Sequence, residues 1–168
     1  MKGRCKAVAY LGTWKIDECD GKTKEDAVDA LKRLLDERAG ELRRGRSGPV
    51  PSADEYREAL MALQAGQYRT VLKLLAAHGR RPELMITAAE LARISETDES
   101  GAIAAYVRLG RALGSFLEFS PDTAGCDRAL VPVLTFAAVE TLPGRGGRAL
   151  WLRPEVAAAL DALHCNSV

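Results

Sequence analysis

The chain has 168 residues, 47% apolar and 28% charged, and its 24 Lys and Arg nearly balance 23 Asp and Glu for a net charge of +1. Those proportions describe a folded globular chain and exclude a disordered polyelectrolyte, which would be poor in apolar residues and lopsided in charge. No apolar run approaches the roughly 20 residues that span a bilayer, and the opening Met1-Lys-Gly-Arg-Cys leads only to a short apolar run broken by Gly12 and Lys15, a poor signal peptide, so a cytoplasmic location and no membrane contact are expected.

Residues 4 to 19 alternate loosely, with Cys5, Ala7, Ala9 and Leu11 on one side and Trp14 and Ile16 after Gly12-Thr13, which predicts two short strands around a turn. Asp20-Gly21 marks the next turn. Thr23 with Asp26 has the spacing of a capping box, in which each residue satisfies a free amide of the other. The helix behind it carries Ala27, Val28, Leu31, Leu34 and Leu35 at helical period. This ββα unit, residues 1–44, is too small to bury a sufficient core alone, so it is expected to pack either on the helices around Tyr56 to Leu75 of its own chain or on a second copy, the latter giving a homodimer through residues 1–42.

Residues 45–51, Gly-Arg-Ser-Gly-Pro-Val-Pro, form the clearest linker, because glycine and proline break helix and strand alike. Residues 52–168 are then a second, mostly helical domain. Ser52 to Glu55 is another capping box, opening a helix with Tyr56, Ala59, Leu60 and Leu63 inward. After Gly66, Tyr68, Val71, Leu72 and Leu75 make a second stripe that ends near His78, expected as a helix-end or packing residue. Thr87 and Glu90 cap a short helix, and Gly101 to Phe119 forms a longer one on which Arg108 and Arg111, three residues apart, leave the same face. Gly110 inside that helix implies a closely crossing helix. Val131 to Val139 is a β-rich run, residues 143–147 a glycine-rich turn, and Ala149 to Leu152 a returning strand. Pro154, favoured in a first helical turn, begins the last helix.

Short helix, turn, arginine-bearing helix, hairpin with a basic tip and closing helix is the order of a winged helix-turn-helix. The predicted fold class is therefore α+β and mostly helical: a ββα unit followed by a helical winged helix-turn-helix domain. Arg108, Arg111, Arg145 and Arg148, with Tyr106, Arg80 and Arg81, form the expected nucleic-acid-binding set, since arginines convergent on one face are locally basic whatever the net charge.

From about Asp54 to Leu163 the chain resembles a small bacterial module found beside modified-DNA restriction endonucleases, notably those with HNH nuclease domains, and beside ASCH domains. The matching residues are Tyr56 with Ala59-Leu60, Leu75 to His78, Ile86 to Ala92, Tyr106 with Leu109-Gly110-Arg111, and Arg153 to Val156 with Ala159-Leu160. The resemblance implies an accessory or DNA-targeting role. The chain departs from it at Ile103, where the family usually has asparagine, and at Val107, where it usually has glycine.

Catalytic patterns are lacking. Two histidines, His78 and His164, cannot furnish an HNH centre or a Ser/His/Asp arrangement. Cys5, Cys19, Cys126 and Cys165 have no zinc-site spacing; Cys5 and Cys19 could face each other across the first hairpin and are expected as reduced thiols. Asp17, Asp20 and Lys22 lie within one turn rather than on separated strands, as a nuclease core would require, and Gly144, Gly146 and Gly147 precede a strand rather than the helix of a phosphate loop. The expectation is a non-enzyme without metal or cofactor. It is expected to bind double-stranded DNA in a restriction or phage-defence setting. The alternatives are a protein-binding inhibitor or partner subunit of a defence nuclease complex, and an antitoxin-like transcriptional regulator.

Overall fold

A computed structural model describes residues 4–11, 14–46, 48–64, 67–142 and 147–165. Contacts divide the chain into two units, Met1–Ser52 and Ala53–Val168. The fold is α+β and mostly helical, with two small antiparallel sheets.

The first unit is ββα: β1 (Cys5–Leu11), β2 (Trp14–Gly21) and α1 (Lys24–Arg44). Ala9 pairs with Asp17 but Tyr10 with Lys15, so Ile16 is the extra residue of a bulge. Cys5 pairs with Gly21 and Cys19 with Ala7, which sets the two free thiols diagonally rather than opposite. Lys6 and Lys15 share the Glu18 carboxylate at 2.9 and 2.5 Å, and these hydrogen bonds hold its pKa down to about 2. The expected cap is present: the Thr23 hydroxyl accepts from the Asp26 amide at 3.1 Å, and the Asp26 carboxylate accepts from the Thr23 amide at 3.2 Å. Gly21 is required at the strand-to-helix corner, because a Cβ there would lie 2.3 Å from the backbone nitrogen of Ala27. Ala27 and Leu31 are buried, Leu34 and Leu35 half-buried, and Val28 is 37% exposed.

The second unit begins with α2 (Ala53–Leu63) and α3 (Arg69–Gly79). A 3-10 turn at Pro82–Leu84 leads to β3 (Met85–Thr87), followed by α4 (Ala88–Ser95) and α5 (Glu99–Leu117). Another 3-10 turn, Val131–Thr135, precedes β4 (Ala137–Thr141), β5 (Arg148–Leu152) and α6 (Pro154–Cys165). The sheet order is β3-β5-β4, with Leu150 opposite both Ile86 and Val139. Tyr56, Leu75, Ile86, Leu91, Leu109, Leu113, Phe136, Leu150 and Val156 form one fully buried core. The Tyr56 hydroxyl donates to the carbonyl of Thr135.

Three sequence expectations need correction here. Residues 131–135 are a 3-10 turn rather than strand, because Pro132 has no amide for a ladder and the segment packs across α5 instead. The element crossing Gly110 is this turn, not a helix: a Cβ at Gly110 would lie 2.0 Å from the Pro132 carbonyl oxygen. A third strand, β3, completes the sheet; three residues are too few to show an alternating pattern.

Candidate nucleic-acid interface

The α4 and α5 helices meet at a three-residue turn, Glu96 to Asp98. Thr87 and Glu90 start α4 as a reciprocal cap: the Thr87 hydroxyl accepts from the Glu90 amide at 3.2 Å, and the Glu90 carboxylate accepts from the Thr87 amide at 3.1 Å. That amide bond is the main cause of the lowered pKa of Glu90. Glu96 ends α4 in the left-handed region at φ 54°, and Asp98 caps α5 by accepting from the Gly101 amide at 2.8 Å.

The 3.6-residue period sorts the side chains of α5. Ala102, Tyr106, Leu109, Leu113 and Leu117 are buried, while Ser100, Ala104, Arg108 and Arg111 are exposed on the opposite face. Glu99 opens its solvent side, the small Ser100 and Ala104 come next, and the two guanidiniums follow. Arg148, at the start of β5, borders a concavity of about 320 Å³ together with Ala88 of α4 and Glu99, Ser100 and Ile103 of α5. The amino-terminal ends of both helices and the loop end of the β4–β5 hairpin, where Arg148 pairs with Thr141, therefore converge on one surface.

The seven residues of the expected binding set have different surroundings. Arg108 and Arg111 stand on the exposed face of α5. Arg148 is on this surface too, but it is half-buried and its guanidinium lies 3.3 Å from the Asp127 carboxylate, so it is not a loose tip residue. Arg145 lies outside the described residues. Arg81 lies between α3 and β3 and pairs with Glu90 at 3.5 Å; its neighbour Arg80, the C-cap of α3, is exposed.

Tyr106 is a correction. Its side chain is fully buried, its ring packs edge-on against Phe136 at 5.2 Å, and its hydroxyl lies 3.2 Å from His78 Nδ1. The same spacing that puts Arg108 outside places Tyr106 inside, 200° away around the helix at about 100° per residue.

His78 is more than a helix-end residue. Its ring is fully buried, and Nε2 lies 3.0 Å from the Leu84 carbonyl and 3.1 Å from the Leu150 carbonyl. Both are acceptors only, so Nε2 carries the proton and Nδ1 accepts from the Tyr106 hydroxyl. Burial lowers the His78 pKa and raises that of Tyr106, which keeps both groups neutral. Glu83 and Leu84 precede β3 with φ of 56° and 55°, and His78 binds the carbonyl this strained pair presents. The sequence marked His78 only as a helix-end or packing residue, because its three partners come from α5, β5 and the Pro82 turn.

Arg153 is also structural, since its Nε and Nη2 both donate to the Leu134 carbonyl at 3.2 and 2.9 Å. Among the described residues no three His, Cys, Asp or Glu side chains converge as metal ligands, and no described helix is long and apolar enough to cross a membrane. No family model, no curated protein and no solved structure matches the chain.

Proposed function

We propose that Ala53–Val168 is a winged helix-turn-helix that binds double-stranded DNA. The observation that carries this reading is the placement of Arg108 and Arg111 on the solvent face of the second of two helices joined by a three-residue turn, beside a hairpin whose sheet order is β3-β5-β4. In such an arrangement α5 enters the major groove and the β4–β5 hairpin is the wing. Small side chains at Ser100 and Ala104 let the helix approach base edges closely, while Arg108 and Arg111 reach bases or phosphates. Arg148 and Arg145 grip the adjacent backbone. The resemblance to modules beside modified-DNA restriction endonucleases supports a setting in restriction or phage defence.

A second reading, a protein-binding subunit or inhibitor of a defence nuclease, is favoured by the carboxylates of Glu96, Asp98 and Glu99 at the start of α5 and of Asp127 on Arg148. These groups repel phosphates and attract a basic protein surface. Fluorescence anisotropy with random duplex DNA separates the two. Phosphate contacts make log affinity fall steeply with log salt, at about −0.9 per contact. Affinity with that slope supports the DNA reading, and absence of duplex binding at low salt overturns it.

A further inference from the structure

We propose that the groove between α3 and the α4–α5 turn binds a small amphipathic carboxylate. The groove encloses about 380 Å³, within the roughly 300–1,000 Å³ typical of small-molecule sites. Its floor is apolar: Val71 and Leu74 of α3 and Ala102 of α5 are buried, with Ala105 half-buried beside them. Ile94 stands at the opening with 36% of its surface exposed, an apolar area that an occupant would cover.

The charged groups on the wall fix the class of ligand. Lys73 and Arg108 both line the groove, and among the described residues neither has an ion-pair partner. Glu96 is the one carboxylate in the lining. Two cations against one anion suit a singly charged head group better than a phosphate dianion. Arg108 offers the planar fork that a carboxylate takes in bidentate fashion. Thr70 and Thr97 also line the groove. The apolar floor requires a hydrocarbon body, so an inorganic anion alone leaves most of the site unfilled.

Arg108 borders the groove and also stands on the exposed face of α5. A carboxylate held by Arg108 withdraws that guanidinium from DNA, which makes the groove an effector site. This coupling rests on the DNA reading; the binding itself does not.

Benzoate and octanoate titrated into the full chain, with benzamide and octanamide as uncharged counterparts, test the proposal by amide chemical shifts. Saturable shifts at Ile94, Ala102 and Ala105 are expected, with the better carboxylate binding about tenfold or more tighter than its amide, as a charge-assisted hydrogen bond implies. The ring and chain probes reveal which body fits. Lys73→Gln, an exposed position, should weaken the carboxylate and leave the amide unchanged. Ala105→Phe should abolish both while the protein still melts cooperatively. Shifts that do not saturate at millimolar probe, equal affinity for acid and amide, or binding indifferent to Lys73→Gln each overturn the site. Duplex titrations with and without probe form a separate arm: unchanged DNA affinity at saturating probe overturns the coupling alone, and failure to bind DNA removes the reading beneath it while probe binding stands.

Discussion

The Nδ1 of His78 and the hydroxyl of Tyr106 lie 3.2 Å apart in the core, joining the end of α3 to the middle of α5. With Nε2 turned to the carbonyls of Leu84 and Leu150, the imidazole also touches the segment entering β3 and the central strand β5. A charged imidazolium would carry a proton on Nδ1, facing a hydroxyl that must then reverse as acceptor, and it would do so without bulk water. Burial therefore lowers the pKa of His78 in the folded state.

That lowering has a pH consequence. Below the unfolded pKa of 6.5 the unfolded chain binds a proton at His78 that the folded chain refuses, so stability falls as pH falls from there through the folded value. Glu18 and Glu90, also lowered when folded, begin to lose stability only near their ordinary 4.5. Urea unfolding at pH 7.5 and 5.5 should show a drop for the wild type, and His78→Leu should be less stable but flatter across this window. An equal drop in both proteins would deny His78 this role.

Tyr106→Phe keeps the ring against Phe136 but strips the donor from a buried Nδ1. Leaving one buried polar atom unpaired costs about 1–3 kcal/mol. Denaturant melts measure this, and a variant as stable as wild type would mean that the 3.2 Å contact contributes nothing.

Gly110→Ala tests the crossing of α5 by the Pro132 turn. Alanine would ordinarily favour a helix by about 1 kcal/mol over glycine. Here its methyl meets a backbone carbonyl at 2.0 Å, which cannot swing aside as a side chain would. The expected result is destabilisation by roughly 1–3 kcal/mol, the usual range for overpacking. A rise in melting temperature would show that the turn moves freely.

Much of this architecture was legible in the sequence because its signals are local. The boxes Thr23/Asp26 and Thr87/Glu90 mark helix starts within four residues, and the apolar periods of α2, α3 and α5 mark their inner faces. What escaped depends on partners distant in the chain. The β-branched run at 131–135 has strand composition, yet Pro132 and the small surface at Gly110 turn it into a packed 3-10 segment. Tyr106, His78 and Asp127 could not be assigned for the same reason: a buried tyrosine, a histidine between two carbonyls and a carboxylate on Arg148 are facts of tertiary packing.

The two units give a prediction about independence. The core of Ala53–Val168 lies within that unit, so a fragment beginning at Ser52 should unfold cooperatively by itself. The ββα unit buries only Ala27 and Leu31 among its described apolar residues, too little for stability alone, and we expect it to pair with a second copy through residues 1–42. Light scattering of both proteins decides this. A dimeric full chain and monomeric fragment fit the account, and a monomeric full chain at micromolar concentration contradicts the pairing.

Asp127 neutralises Arg148 at the loop end of the strands of the proposed wing. Asp127→Ala should raise duplex affinity severalfold, because one repulsive carboxylate is lost and one guanidinium freed. Arg148→Ala should reduce the salt slope by about 1, the share of one phosphate contact. Opposite signs in the two variants are the expected pattern in parallel anisotropy titrations, and no change in either would place the wing outside the DNA contact.

The most direct measurement is the duplex affinity of the Arg108→Ala/Arg111→Ala double variant across a salt series beside the wild type. Both side chains are exposed, so the variant should fold and melt like the parent. The expected result is a loss of about fivefold or more in affinity if either arginine makes a base contact, which alone carries about 1–3 kcal/mol, or a slope lower by up to about 2 if both hold phosphates. Wild-type affinity and wild-type slope in a folded double variant would contradict the assignment of α5 as the DNA-reading helix.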